Sequence, residues 1–479
     1  DIAALATELR NLNVARIGLD MANGISWALV DLAAIAAGVT LIPLPSFFTP
    51  AQIDHVINTA DIGVILCADD QLSRWKAIDT WAKLAHTPFG IHLFKREGAP
   101  VATGLGGKIT FTSGSSGQPK GVLLSAGTIA ATSIGIVEAL APLGPRQHLC
   151  VLPLATLLEN VAGLYAPLIN GSEVCLPSDA EIGLSGAALD IERFAALLNA
   201  SQADTMILVP QLLTAVVTLM ELGALNMSTF KLIAVGGGRV GRSLHERAQA
   251  LGLPVFEGYG LSECCSVLTL NLPGAERIGS VGRLLNHTAL RISDAGEIQV
   301  KTPQMEGYIG EEATKPGWYA TGDLGHLDND GYLYIDGRAR NVFITAFGRN
   351  VNPEWPEAAL TQHAAIGQAL VYGEAQDHNL GLLWLRFAQT DEQIAALMSA
   401  ANAELPDYAQ IHQWLVISEN LPGELQTANG RLKRDAAIAY YGELIESHYH
   451  NEKAGVDTCH PAFQTNIQTP DERNRNVIL

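Results

Sequence analysis

Between residues 150 and 259 the chain alternates short apolar runs with stretches of helical periodicity, and this alternation narrows the possible folds more than any other feature. The runs fall at residues 149–152, 173–176, 206–209, 232–235 and 255–258. Apolar runs of that length separated by helices read as strands of a parallel or mixed sheet with helices on its faces. Past Thr288 the texture changes to brief strands and turns such as Asp294-Ala295-Gly296 and Asp330-Gly331, which indicates a smaller β-rich subdomain. A chain of 479 residues exceeds what one core supports, so more than one domain is expected. The fold class is α/β. Residues 1–338 form a large domain of mixed and parallel sheets flanked by helices, and residues 339–448 a small α+β domain. Residues 449–479 are polar and aperiodic, a tail expected to be poorly ordered.

The apolar stretch from Ile25 to Leu44 is long enough to suggest a membrane span, but Asp31 interrupts it and Gly38 and Pro43 punctuate it. A buried helix leading into a strand is the better reading, so no integral membrane segment is expected. No leader peptide is visible, although the chain begins at Asp1 rather than Met, which leaves room for an upstream piece. A net charge of −19 disfavours nucleic acid and anionic membrane as general partners. The six cysteines show no C-x-x-C spacing and no paired framework, a pattern of reduced thiols in a cytoplasm.

Residues 108–121 read KITFTSGSSGQPKG, a β-type run opening into Thr112, Ser113, Gly114, Ser115, Ser116 and Gly117 and closed by Pro119 and Lys120. Small residues let backbone N–H groups and hydroxyls crowd around a phosphate, and Lys120 supplies a cation. A flexible linker is the plain alternative, but apolar segments flank the loop on both sides. The spacing is not that of G-x-x-x-x-G-K-[ST], because Gln118 and Pro119 separate Gly117 from Lys120. Ser125 reads as an N-cap, and Ile129, Ile136, Val137 and Leu140 recur on one helical face, which places the loop between a strand and a helix.

Further constellations follow. Tyr259-Gly260-Leu261-Ser262-Glu263 sets a carboxylate at a strand's C-terminal end, suited to a hard cation near phosphate or, more simply, to a helix N-terminus. Gly236, Gly237 and Gly238 follow another apolar run and either make a tight turn or let a planar ligand approach. Asp323, in Thr321-Gly322-Asp323, either closes an Asx-turn or accepts hydrogen bonds from two vicinal hydroxyls.

Taken together and in order, these segments resemble the adenylate-forming superfamily, which includes acyl- and aryl-CoA synthetases, luciferases and peptide-synthetase adenylation domains. The resemblance covers roughly residues 14–441. It implies that the loop 112–117 and Lys120 grip phosphate and that Glu263 holds Mg²⁺. Ser262, in the place of the family's Thr, would face the α-phosphate, and Tyr259 beside Gly260 would stack on adenine. Gly236–Gly238 would lie along adenine and the acyl pocket, Asp323 and Arg338 on the ribose hydroxyls, and Arg340 at the hinge of a mobile small domain. In Thr427-Ala428-Asn429-Gly430-Arg431-Leu432-Lys433 the family's catalytic Lys is replaced by Arg431. In an extended segment Arg431 and Lys433 share one face, so both are candidates for the cation that bridges carboxylate and α-phosphate.

Leu152-Pro153-Leu154-Ala155-Thr156-Leu157-Leu158-Glu159 is similar to a segment of long-chain acyl-CoA synthetases, with Thr156 for His, which implies Thr156, Glu159 and Gly236 at an acyl pocket and a hydrophobic acid. The activity implied is a ligase: the acid and ATP form an acyl-adenylate, then a thioester with CoA presented near Gly348. An acyl-carrier protein is the alternative acceptor, and a degenerate nucleotide-binding module without turnover is the rival of another class. His448, His450, Cys459 and His460 offer metal-ligand chemistry, but their scatter through a polar terminus reads as solvated.

Overall fold

The computed structural model describes residues 1–453 except 47, 78–80, 87–89, 98–105, 113–118, 186–187, 303–304, 315–316, 348 and 428–429; for 84–86, 185, 188, 350 and 450–453 it describes backbone alone. The chain divides into two compact units, one spanning Asp1–Arg340 and one taking in Asn341–Thr427 and the chain from Arg431 onward.

Runs such as Val64–Cys67 are apolar at every position because helices and loops cover both faces of the sheet they enter, and all four of those residues are buried. They belong to an eight-stranded sheet ordered Gly307–Tyr308, Lys120–Leu124, Lys108–Thr112, Thr40–Pro43, Arg16–Asp20, Val64–Cys67, His92–Arg96 and Trp81–His86. The central strands are parallel and are joined by helices Ile25–Ala37 and Pro50–Thr59. The first of these helices ends at Gly38, whose φ of 71° is costly for any residue with a Cβ. Asp31 within it is fully buried and accepts from Lys108 Nζ at 2.7 Å, with Asn160 and Tyr165 donating to its other oxygen. The charge that spoke against a membrane span is thus one half of an internal ion pair.

The five apolar runs enter a seven-stranded sheet ordered Arg283–Leu284, Ser266–Leu270, Val255–Leu261, Leu232–Val235, Thr205–Leu208, Gln147–Leu149 and Glu173–Cys175. From Val255–Leu261 through to Glu173–Cys175 the neighbours are parallel, while the two edge strands beyond Val255–Leu261 turn antiparallel. The first run is displaced, since its strand ends at Leu149 and Cys150–Leu152 continue past it. The β-rich part is a four-stranded antiparallel sheet of Ala289–Ile292, Glu297–Lys301, Tyr319–Leu327 and Leu333–Arg338.

One expectation is corrected. Lys120–Leu124 pairs antiparallel with Lys108–Thr112, Thr112 standing opposite Lys120, so the Gly/Ser loop joins two strands of a hairpin rather than a strand and a helix. The helix Ala126–Leu140 starts only afterwards, with Ser125 Oγ accepting from the Thr128 N–H at 3.2 Å. By length and composition the stretch Ala126–Leu143 could cross a membrane; here Ile129 and Ile136 are buried in the same apolar core as the helix Ile25–Ala37.

The second unit has a three-stranded sheet of Ile366–Tyr372, Asn379–Leu385 and Ile411–Val416 with separate apolar clusters on its two faces. Helices Glu354–Thr361 and Asp391–Ala403 cover one face and the long helix Arg434–Lys453 the other. That last helix runs past residue 448. His448 is buried and its Nε2 lies 2.6 Å from Gln413 Oε1, which corrects its reading as a solvated tail residue. The side chain of His450, and all of Cys459 and His460, lie outside the described residues.

Candidate active site

Strand Val255–Leu261 carries the first group of site residues. It is parallel to Leu232–Val235 as far as Glu257 and then folds back as a hairpin with Ser266–Leu270, with a bulge at Tyr259/Gly260. A Cβ on Gly260 would sit 1.4 Å from the Ser266 carbonyl oxygen, so the hairpin closes only around a glycine. Gly260 therefore has a packing reason for its identity, independent of any nucleotide. Beyond it, a 3₁₀ turn at Ser262–Cys264 leaves Ser262 and Glu263 half-buried.

Tyr308 reaches Glu263 from a distant part of the chain. Gly307–Tyr308 adds to the edge of Lys120–Leu124, Tyr308 opposite Val122, and the Met305 N–H donates to the Glu263 carbonyl at 2.8 Å. Tyr308 then donates its hydroxyl hydrogen to Glu263 Oε1 at 2.7 Å, while Lys120 Nζ lies 5.0 Å from the centre of the Tyr308 ring. Lys120 also donates to Glu311 Oε1 at 3.0 Å, both side chains being about half exposed. Burial, and then the bond to Glu263, push the Tyr308 hydroxyl far above its ordinary range. Tyr319, hydrogen-bonded to Tyr308, is pushed up to about 12 by burial and by the charge of Glu263. Both stay neutral at pH 7, and Tyr308 presents its hydrogen to the Glu263 carboxylate.

A second group lies on the four-stranded sheet. Its register sets Asp323 directly opposite Arg338, and Arg338 Nε lies 2.7 Å from Asp323 Oδ1. The Tyr259 hydroxyl donates to Asp323 Oδ2 at 2.6 Å. Burial and the Asp323 carboxylate hold that hydroxyl in its neutral form. Tyr259 and Arg338, which the sequence scattered, thus meet at the Asp323 carboxylate.

Gly236 continues the sheet by donating to the Leu208 carbonyl, and Gly237 takes a φ of 77°. A Cβ on Gly236 would touch Leu158 Cδ2 at 3.4 Å with the Gly258 carbonyl oxygen next nearest, and one on Gly238 would meet Pro210. Leu158 therefore borders the glycine expected at an acyl pocket. Of the other two residues expected there, Thr156 donates to the Pro153 carbonyl at 2.6 Å and Glu159 is fully buried against His148. Residues 113–117 lie outside the described residues, as does Gly348; Thr112 is half-buried opposite Lys120.

Arg431 and Lys433 belong to the second unit. There the Arg431 N–H donates to Thr427 Oγ1 at 2.9 Å and Lys433 Nζ to the Glu424 carbonyl at 3.0 Å. Arg340 is the exposed last residue of that stretch of the first unit, just after Ala339 donates to the Gly322 carbonyl. Tyr308 and Glu311 stand outside every segment singled out from sequence, and Leu158 and Tyr319 stand within such segments without a role given to them. No local spacing marks the first two, since Glu311 lies 191 positions from Lys120 and Tyr308 lies 45 from Glu263.

Chemically, a cation, a carboxylate held by a tyrosine, and an Asp–Tyr–Arg cluster suit a polyphosphate and a ribose. Glu263 fits a Mg²⁺ ion, which takes one or two protein carboxylates and completes its shell with water and phosphate oxygens. A large unit built on eight-, seven- and four-stranded sheets, followed by a small α+β unit, with this site, defines the class of adenylate-forming enzymes.

Residues 1–311 match the family model for AMP-binding enzymes, and residues 340–453 the model for the C-terminal domain of AMP-binding enzymes. The chain belongs to the AMP-binding enzyme family, in its acyl-CoA ligase branch. Among its relatives is the 2-succinylbenzoate–CoA ligase of Bacillus subtilis, 28% identical over 84% of this chain and 78% of that one. Another is a long-chain-fatty-acid–CoA ligase of Mycobacterium bovis, 25% identical over 78% of this chain and 74% of that one. The solved o-succinylbenzoate CoA synthetase of B. subtilis, in complex with its acyl-adenylate, superposes with a TM-score of 0.72 at 22% identity, covering 91% of each chain. An anthranilate CoA ligase bound to anthranoyl-AMP gives 0.75 at 17% identity, covering 91% of this chain and 90% of that one.

Proposed function

We propose that the protein activates a hydrophobic carboxylic acid with Mg·ATP and transfers the acyl group to the thiol of CoA. The observation that carries this reading is the meeting of Lys120, Tyr308 and Glu263 on one edge of the first unit. A cation, a neutral donor and a metal-competent carboxylate there suit the triphosphate, and Asp323 with Arg338 and Tyr259 suits the nucleoside.

In this reading the substrate carboxylate attacks the α-phosphorus of ATP in line, the bond to the bridging oxygen breaks, and pyrophosphate departs. Lys120 and the loop 112–117 would hold the leaving phosphates, Ser262 would face the α-phosphate, and Glu263 would hold a magnesium ion, which would supply positive charge to the phosphates. Asp323 and Arg338 fix the ribose and the Tyr259 ring flanks adenine, beside Gly236–Gly238. Arg431 or Lys433 supplies the cation that draws two anions together. The small domain, from residue 339 onward, then turns about Arg340, and the CoA thiol attacks the adenylate to release AMP. The described cysteines are all unpaired, in keeping with work in a reducing cytoplasm.

The acid is the open part of the assignment. The relatives named above are ligases of 2-succinylbenzoate and of long-chain fatty acids, and here Leu158 beside Gly236 offers an apolar wall. The test is pyrophosphate release over aliphatic acids of graded length and over aryl acids, with CoA, with a phosphopantetheinylated carrier protein, or with neither. Acid-dependent release and a CoA thioester are expected. A thioester on the carrier alone would move the acceptor, and tight ATP binding with no release for any acid would replace the ligase by a binding module.

A further inference from the structure

His148 and Cys150 lie two residues apart along an extended segment and so face the same side; on that side they meet Glu159. Their ligand atoms, one from each residue, all fall within 4.8 Å of one another, and all three residues are buried. His148 Nε2 is 3.2 Å from Glu159 Oε1. The other ring nitrogen, Nδ1, is paired with Thr205 Oγ1 at 2.9 Å, which fixes the imidazole plane and aims Nε2 at the cluster. Glu159 Oε2 is buried without a hydrogen-bond partner, in a residue with 0% exposure. A lone carboxylate oxygen in that setting is costly unless something positive reaches it.

The backbone also makes room for this cluster. Glu159 opens a π-helical stretch, Glu159–Tyr165, a geometry that local function often accompanies. Within it Gly163 carries no Cβ; one placed there would sit 2.5 Å from Glu159 Oε1 and 2.8 Å from His148 Nε2. The Gly163 carbonyl oxygen accepts from Cys150 Sγ at 3.5 Å.

We propose that His148, Cys150 and Glu159 form a binding site for one zinc ion, separate from the Mg·ATP site. Thiolate, imidazole and carboxylate are the ligand types zinc takes, and at its bond lengths neighbouring ligand atoms stand about 3.3–3.7 Å apart. The His148–Glu159 pair, at 3.2 Å, stands just inside that spacing, and side-chain rotation brings the thiolate in. One thiolate and one carboxylate against a dication leave the centre neutral, as a buried site requires. Burial and the Glu159 carboxylate push the Cys150 thiol up, and a bound dication reverses that by displacing its proton. The ion would staple the strand Gln147–Leu149 to the π-helical turn.

The test uses Co²⁺ as a spectroscopic stand-in for zinc on the chelator-treated full chain, without nucleotide. One equivalent of Co²⁺ should give a near-ultraviolet thiolate-to-cobalt charge-transfer band with tetrahedral visible bands, and Zn²⁺ should bleach both. The band should vanish in Cys150→Ser. Glu159→Gln, which keeps the shape and the acceptor toward His148, should weaken binding at least tenfold with unchanged circular dichroism. No charge-transfer band in the wild type at saturating Co²⁺ overturns the site. So does an undiminished band in Cys150→Ser or an unchanged affinity in Glu159→Gln; the cluster is then a hydrogen-bonded His–Glu pair.

Discussion

Tyr308 donates its hydroxyl hydrogen to Glu263 at 2.7 Å, and the two meet because a two-residue strand at Gly307–Tyr308 docks on the edge of Lys120–Leu124. The same docking lays the Tyr308 ring near the Lys120 ammonium. One short segment therefore fixes the distance between the phosphate-loop cation and the candidate magnesium carboxylate.

Tyr308→Phe removes the hydrogen that orients Glu263. A partner of this kind to a metal ligand is worth roughly 10- to 100-fold in metal affinity. The Mg²⁺ concentration for half-maximal pyrophosphate release should rise about tenfold, with little change in melting temperature. Glu263→Gln should lower the adenylation rate further, by about 100-fold. If neither variant alters the Mg²⁺ dependence, Glu263 does not serve the metal.

Two glycine substitutions should part company. Gly260→Ala drives a methyl into the Ser266 carbonyl and should cost several kcal/mol, read as loss of soluble protein or a large fall in urea midpoint. Gly236→Ala meets Leu158 at an ordinary contact distance and should fold normally. Its larger effect should be on the acid, because the added methyl meets Leu158: KM should rise most for the bulkiest acids that turn over, and less for ATP.

Glu257 is a buried residue of the site strand itself, and burial raises its carboxyl from 4.5 to about 7. The native state then holds a proton that the unfolded chain releases between those values, so stability falls as pH rises from about 4.5 to 7 and is level above. The full cost is about 3 kcal/mol. Glu257→Gln keeps an acceptor for the Val240 N–H, which lies 3.2 Å from Glu257 Oε1. It should raise the melting temperature at pH 8 and much less at pH 5; equal gains at both pH values would show that Glu257 ionises normally.

Arg431→Ala and Lys433→Ala should differ. The residue that bridges carboxylate and α-phosphate should lose adenylation by two or more orders of magnitude, yet still make thioester from supplied acyl-adenylate. Lys433, whose ammonium is already bonded to the Glu424 carbonyl, should show the smaller effect.

Some of this was legible in the sequence because the relevant physics is local. The apolar runs at 206–209, 232–235 and 255–258 became adjacent parallel strands, and Ser125 capped its helix through the Thr128 N–H. The Gly/Ser loop was placed correctly after its first strand but wrongly before a helix. Residues 120–124 carry too few positions to announce a hairpin partner, and the pairing that makes them a strand lies across the loop.

Sequence by itself determined the alternation of strands and helices between residues 173 and 258, the division of labour between glycines and chemical side chains, and the membership of Lys120, Glu263 and Asp323 in motif-like segments. Only the tertiary structure decided what those side chains touch. Tyr308 joins Glu263 across 45 positions, Tyr259 joins Asp323 across 64, and Glu311 joins Lys120 across 191. Hydropathy and spacing report on neighbours within a helix turn or a strand, whereas these contacts depend on sheet order and register, which the whole chain sets at once.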